Sequence, residues 1–140
     1  MIDEFLRVLK PNGLLVLGCW NIRDHDTKQL ELNENEKGLV RFLKNEWGHP
    51  NFWSINKYKS VFSEHDDIDI LISDNWTKYT LPSWYESIYE MIRRPKMLFW
   101  CLLHPSSWND RFGDLMGLIN MERAFRNGLM EYGVFAVVKK

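Results

Sequence analysis

Hydrophobic positions in the first nine residues recur at helical spacing, with Ile2, Phe5, Leu6 and Leu9 at i, i+3, i+4 and i+7. Lys10-Pro11-Asn12-Gly13 stops that helix, because proline cannot continue it and Asn-Gly tolerates positive φ. Residues 14–20, LLVLGCW, follow without alternation. A continuous apolar run between turn signals predicts a strand buried on both faces, the kind that parallel sheets hold between helix layers. Residues 21–36 are polar and read as a loop entering a helix over 34–47, with Leu39, Val40, Leu43 and Trp47 on one side. Gly48-His49-Pro50 breaks it. Ser54 is an N-cap candidate for a helix over 55–63 that turns Tyr58, Val61 and Phe62 inward. Residues 68–72 form the next strand, ending in Ser73-Asp74-Asn75-Trp76.

Pro82 precedes a helical stretch over 83–103, interrupted at Pro95. A second stretch runs over 108–127, with Gly128 as its C-cap. Residues 132–139 close the chain as a strand, with Val134, Ala136 and Val138 on one face. No repeat, linker or low-complexity segment interrupts this order. The pattern predicts an α/β fold, one packed unit over 1–140.

Composition narrows the function classes. The 140 residues carry 18 basic and 19 acidic side chains, a net charge of −1, so no field that gathers nucleic acid is present. Apolar residues make up 45% and charged residues 26%, which argues against disorder, collagen and coiled coil. Cys19 and Cys101 lie in apolar runs and read as buried reduced thiols, with a disulfide between them left open. There is no CxxC pair. Met1 is followed at once by Asp3, Glu4 and Arg7, so no secretory signal is visible. The uncharged apolar run 97–103 is too short to span a bilayer. The expectation is a soluble intracellular protein, with membrane-surface contact open. Seven tryptophans, eight phenylalanines and five tyrosines bring aromatics to 14%, and such rings fill cores and also line pockets for flat or greasy ligands.

Several segments resemble one family. Arg7-Val8-Leu9-Lys10-Pro11-Asn12-Gly13 followed by LLVLGCW resembles the RVLKPGG turn before the fifth strand of class I S-adenosylmethionine-dependent methyltransferases. Asn12 replaces the first glycine, a mild departure because Asn also accepts the left-handed region. Ser73-Asp74-Asn75-Trp76 with Leu81-Pro82-Ser83-Trp84 resembles the SDDW…PFW pattern of plant and cyanobacterial tocopherol methyltransferases. Cys19-Trp20-Asn21-Ile22-Arg23-Asp24 is similar to their TWCHRD-like segment. Residues 120–139, with Met121-Glu122 and Arg126-Asn127-Gly128-Leu129, are similar to that family's end.

The resemblance covers essentially all of this chain and about the second half of such an enzyme. It implies a partial Rossmann-like sheet. Residues 14–20 would be the fifth strand, 68–73 the sixth, and 132–139 an antiparallel seventh between them. Residues 83–127 would be a helical insertion that caps the acceptor pocket. It also implies S-adenosylmethionine as the cofactor of the complete enzyme and a lipophilic phenol or quinol as acceptor. A plastid or cyanobacterial setting, in the cytoplasm or at a membrane, is implied in the same way. The family's glycine-rich turn, its ribose-binding acidic residue and its fourth-strand residues have no counterpart here. The glycines at 13, 18, 38, 48, 113, 117, 128 and 133 show no GxGxG spacing. No cofactor-binding residue is therefore assigned, and the chain alone is expected to be inactive.

Trp20 and Asn21 stand at the carboxyl end of the first strand, where ligands of open α/β sheets bind. Trp84 and Tyr85 open the insertion and are placed to wall a pocket for a prenylated ring; Met121 offers an adaptable contact beside it. Phe99 and Trp100 read as helix core, and Met116 and Met130 as packing. Methylation at a ring carbon needs a proton acceptor, and His49, His104, Asp74 and Glu122 are the candidates. Each also has a plain structural role: loop residues, a turn, and an i,i+4 pair with Arg126. No catalytic residue is assigned. Arg93-Arg94-Pro95-Lys96 beside Met97 to Trp100 would suit a membrane surface or a solvated turn. His25-Asp26 and His65-Asp66-Asp67 are adjacent residues that rarely converge on one ion, so no metal is expected.

Two other readings stay open. One is a methyltransferase for a sterol or other small molecule. The other is a non-catalytic interaction module or half of a split enzyme. In that case the uncharged edge of strand 14–20 would pair with a second copy or with a missing N-terminal half.

Overall fold

The computed structural model describes residues 2–24, 31–47, 51–93, 99, 103 and 108–140. In chain order the elements are α1 (Ile2–Val8), β1 (Leu14–Ile22), α2 (Glu34–Trp47), α3 (Ile55–Ser63), β2 (Ile68–Asn75), α4 (Thr77–Arg93), α5 (Trp108–Arg126) and β3 (Met130–Lys139). They divide into two compact units. The first comprises Met1–Glu31, Phe52–Thr77 and Met130–Lys140; the second comprises Leu32–Asn51 and Lys78–Leu129.

The first unit is built on a three-stranded sheet in the order β1-β3-β2, with β3 antiparallel to both neighbours. This is the expected order, the last strand lying between the other two. The turn between α1 and β1 forms as its residues dictate. Asn12 takes φ 60° and donates its N–H to the Lys139 carbonyl at 2.8 Å. Gly13 donates to the Lys10 carbonyl at 2.8 Å, and a Cβ there would sit 2.7 Å from that oxygen. The turn thus ties the start of β1 to the end of β3.

One sheet face carries the core. Ile2 and Leu6 of α1, Tyr58 and Phe62 of α3, Ile68 of β2, and Phe135 and Val137 of β3 form one buried cluster. Leu15, Leu17 and Cys19 of β1 pack against it. The Tyr58 and Phe62 rings lie 4.9 and 5.9 Å from the Phe135 ring, spacings at which tilted aromatic pairs attract. Ser54 caps α3 as expected, its hydroxyl accepting the Lys57 N–H at 3.2 Å.

Three expectations are corrected in this unit. β1 is not buried on both faces: its residues alternate, with Leu14 and Val16 56% and 61% exposed and Leu15 and Leu17 half-buried. The cluster holds α1 and α3 against one face only, so the apolar run is solvated on the other. β3 begins at Met130, ahead of the expected residue 132; Val134, Ala136 and Val138 share a face as expected, and Phe135 and Val137, fully buried like Met130, lie on the opposite one. β2 runs on to Asn75 and carries a register shift between Ile70 and Ile72.

The second unit is helical. A capping box opens α2: Asn33 Oδ1 accepts from the Glu36 N–H, and Glu36 accepts from the Asn33 N–H, both at 2.9 Å. α2 packs against α5. Leu43, Met121, Ala124 and Leu129 are fully buried. α5 ends as its sequence demands. Gly128 takes φ 68°, its N–H bonds the Phe125 carbonyl at 3.0 Å, and the Leu129 N–H reaches the Ala124 carbonyl at 2.8 Å. That bond pattern is the Schellman motif.

α4 differs from expectation. It starts at Thr77, with Pro82 inside, rather than at residue 83. Asn75 accepts the Thr77 N–H at 3.0 Å, and this early cap starts the helix ahead of the proline, which then forfeits one backbone bond. The break at Pro95 and the second cysteine, Cys101, lie outside the described residues. Among the described residues no helix is long and apolar enough to cross a membrane.

Candidate functional site

The carboxyl end of β1 collects the polar groups of the first unit. Asn21 is completely buried. Its Oδ1 accepts from the Gly133 N–H at 2.9 Å and from the Cys19 thiol at 3.6 Å; its Nδ2 donates to the Trp53 carbonyl at 3.0 Å. The Ile22 N–H meets the same carbonyl at 3.2 Å. Asn21 thus fastens the segment before α3 to β1 and β3, a structural task rather than an open contact. Gly133 is required beneath it, because a Cβ there would collide with Asn21 Oδ1. Trp20, the neighbouring candidate, is half-buried opposite Tyr132.

Beside them stands a pair of carboxylates that motif reasoning did not single out. Glu131 lies opposite Asn21 in the sheet, and Asp24 follows the end of β1. Burial first, and then the negative charge of Asp24, hold the Glu131 carboxyl above the usual carboxylate range. Asp24 Oδ2 accepts from Asn56 Nδ2, while its Oδ1 is buried without a hydrogen-bond partner among the described residues. A carboxyl biased to keep a proton has the property that a proton acceptor needs. Sequence gave no signal for it, since Asp24 and Glu131 are brought together only by strand pairing. The Cys19 thiol is pushed up by burial, an effect that hydrogen bonds to Tyr58 and Asn21 partly offset. It is a free thiol kept in its inert form.

In the second unit, Trp84 and Tyr85 are consecutive half-buried residues of α4, and Met121 is fully buried in α5. Glu122, a candidate base, pairs with Arg126, and the Tyr85 hydroxyl also reaches that guanidinium. These contacts raise the Arg126 pKa and give Glu122 the ion-pair role. A groove of about 740 Å³ opens between α2 and α5. Asn35, Asn120 and Arg123 line it with Leu39 and Phe42, so polar and apolar groups share its wall, and none of the expected pocket residues lines it.

The remaining candidates separate. Asp74 is exposed on β2. His49, His104, His25-Asp26 and most of the 93–100 cluster lie outside the described residues. Within His65-Asp66-Asp67, His65 lies 3.4 Å from Asp3, the Asp66 carbonyl accepts from Lys140, and Asp67 sits 3.8 Å from Lys139. Among the described residues no three His, Cys, Asp or Glu side chains converge.

S-adenosylmethionine needs a backbone cradle that a glycine leaves open. Gly13, Gly18 and Gly133 instead approach this chain's own atoms, at Lys10, Tyr132 and Asn21, and Gly128 closes a helix. None of these four glycines forms such a cradle, and Gly38 lies inside the helix α2.

No family model matches the chain. It is 33% identical, over 138 residues, to the 2-methyl-6-phytyl-1,4-hydroquinone methyltransferase of Synechocystis, a match that covers 98% of this chain and 42% of that protein. The chain therefore spans less than half the length of this relative. Among solved structures it is similar to phosphoethanolamine N-methyltransferase 2 of Haemonchus contortus in complex with S-adenosyl-L-methionine. There the TM-score is 0.72 and the identity 19%, over 98% of this chain and 28% of that one. A cyclopropane synthase of Mycobacterium tuberculosis matches with a TM-score of 0.66 and 18% identity, over 98% of this chain and 49% of that one. The resemblance read from the sequence holds, and the fold matches the part of these Rossmann-like methyltransferase structures that the chain covers.

Proposed function

We propose that this chain forms the acceptor-side portion of an S-adenosylmethionine-dependent methyltransferase acting on a lipophilic phenol or quinol. The observation that carries the reading is the 33% identity, along 98% of the chain, to a protein whose name gives a prenylated hydroquinone as its substrate. The aromatic excess supports it: each unit carries half-buried rings, Trp20 in the first and Trp84 and Tyr85 in the second, of the type that lines pockets for flat, greasy ligands.

In this reading the cofactor, held by residues other than these, supplies an activated methyl group. The chain's own contribution is to hold the acceptor ring, exclude water from it and place a proton acceptor near it. The reading is tested by equilibrium binding followed through tryptophan fluorescence. The chain should take up a prenylated hydroquinone dispersed in detergent and ignore a small hydrophilic amine. The opposite preference would sink the phenolic assignment.

A further inference from the structure

Hydrogen bonds fasten the segment ahead of α3 to the carboxyl end of β1. The Trp53 carbonyl accepts from Asn21 Nδ2 at 3.0 Å and from the Ile22 N–H at 3.2 Å. Asp24 Oδ2 accepts from Asn56 Nδ2, in the first turn of α3. Phe52 and Ser54, on either side of Trp53, are buried, and Ser54 caps α3. Trp53 between them stays 37% exposed, although two donors hold its carbonyl. Its ring meets that of Tyr58, a member of the core cluster, at 5.2 Å and 58°, so part of the indole rests on protein.

The fastening at residue 53 uses only its main chain. Another side chain there would leave both carbonyl bonds in place, so the clamp does not explain an indole at this position. Core packing explains only the part that Tyr58 covers. What the clamp supplies is rigidity. A ring whose backbone is fixed by two bonds, and which is backed by a neighbouring ring, gives up little freedom when a ligand covers its remaining surface. Its place matters as well, because open α/β sheets bind ligands at the carboxyl ends of their strands.

We infer that Trp53 is an acceptor-contacting residue, on whose exposed indole surface the aromatic ring of a lipophilic phenol or quinol packs. The inference rests on the function proposed above and adds to it a residue that no motif singled out. Two flat rings attract in an offset or tilted arrangement and shed the water between them. The contact recognises the ring of the acceptor and is indifferent to its prenyl tail.

Isothermal titration of the 140-residue chain with two probes in the same detergent tests this. One is a prenylated hydroquinone; the other is a prenyl alcohol, which has the tail without the ring. Trp53→Ala should weaken hydroquinone binding about tenfold and leave binding of the alcohol unchanged. Trp53→Tyr, which keeps a ring, should stay within about threefold of the unsubstituted chain. Phe5→Ala, on α1 and at 38% similarly exposed, should change neither. The melting temperature of Trp53→Ala should move little, since the carbonyl clamp survives the substitution. If the chain binds the hydroquinone and Trp53→Ala binds it equally well, the inference fails while the proposed function stands. Equal losses for both probes, an equal loss in Phe5→Ala, or a loss that accompanies unfolding contradicts the inference too. A chain that binds no hydroquinone overturns the proposed function and the inference together.

Discussion

Asn21 and Gly133 work as a matched pair across β1 and β3. The carboxamide sits where a Cβ of residue 133 would be, and it bonds the Gly133 N–H at 2.9 Å and the Trp53 carbonyl at 3.0 Å. Asn21→Leu keeps the volume but strands a buried N–H, and Gly133→Ala drives a methyl group into the amide. Each should cost about 2–3 kcal/mol, measured by urea unfolding; a loss near zero for either would mean the clamp is dispensable. Glu131 gives the second expectation at this scale. Its folded-state pKa lies above 4.5, so the folded chain binds its proton more tightly than the unfolded chain. Stability from this group is therefore fullest at acid pH and is lost as pH rises from 4.5 through the folded value. Glu131→Gln should raise the melting temperature at pH 7 and flatten its decline across that window. An unchanged pH profile would show that the carboxyl is not perturbed.

At the scale of elements, local chemistry decided most of what the sequence allowed to be read. Asn12, Ser54 and Gly128 act through their own backbone or through residues within one turn, so their roles were legible from residue type and spacing. Gly128→Ala should destabilise the chain by about 1–2 kcal/mol, since a Cβ is disfavoured at φ 68°. Open space around that position leaves backbone strain as the cause. A thermal melt that does not move would contradict the capping role. What failed had causes at longer range. Asn21 finds partners 32 and 112 residues away, which no local pattern encodes. Pro82 suggested a helix start, but the Asn75 cap begins α4 earlier. The apolar run of β1 reads the same whether one face is covered or both, because coverage depends on which elements pack there.

For the molecule as a whole, the sheet order β1-β3-β2 and the helices between the strands match what the resemblance implied. The candidate site is less complete. Trp20 and Asn21 share one strand end, Trp84 and Tyr85 one helix, and only Trp20, Trp84 and Tyr85 are partly accessible. The relative matched over 98% of this chain is itself matched over 42% of its length, and Gly13, Gly18 and Gly133 approach the chain's own atoms rather than an open cradle. The proposed function puts the acceptor side in this chain and the cofactor side outside it. Isothermal titration of the 140-residue chain with S-adenosylmethionine, beside a titration with a prenylated hydroquinone, tests it most directly. Saturable binding of the hydroquinone is expected, with no micromolar binding of S-adenosylmethionine. Micromolar binding of S-adenosylmethionine by this chain alone would contradict it.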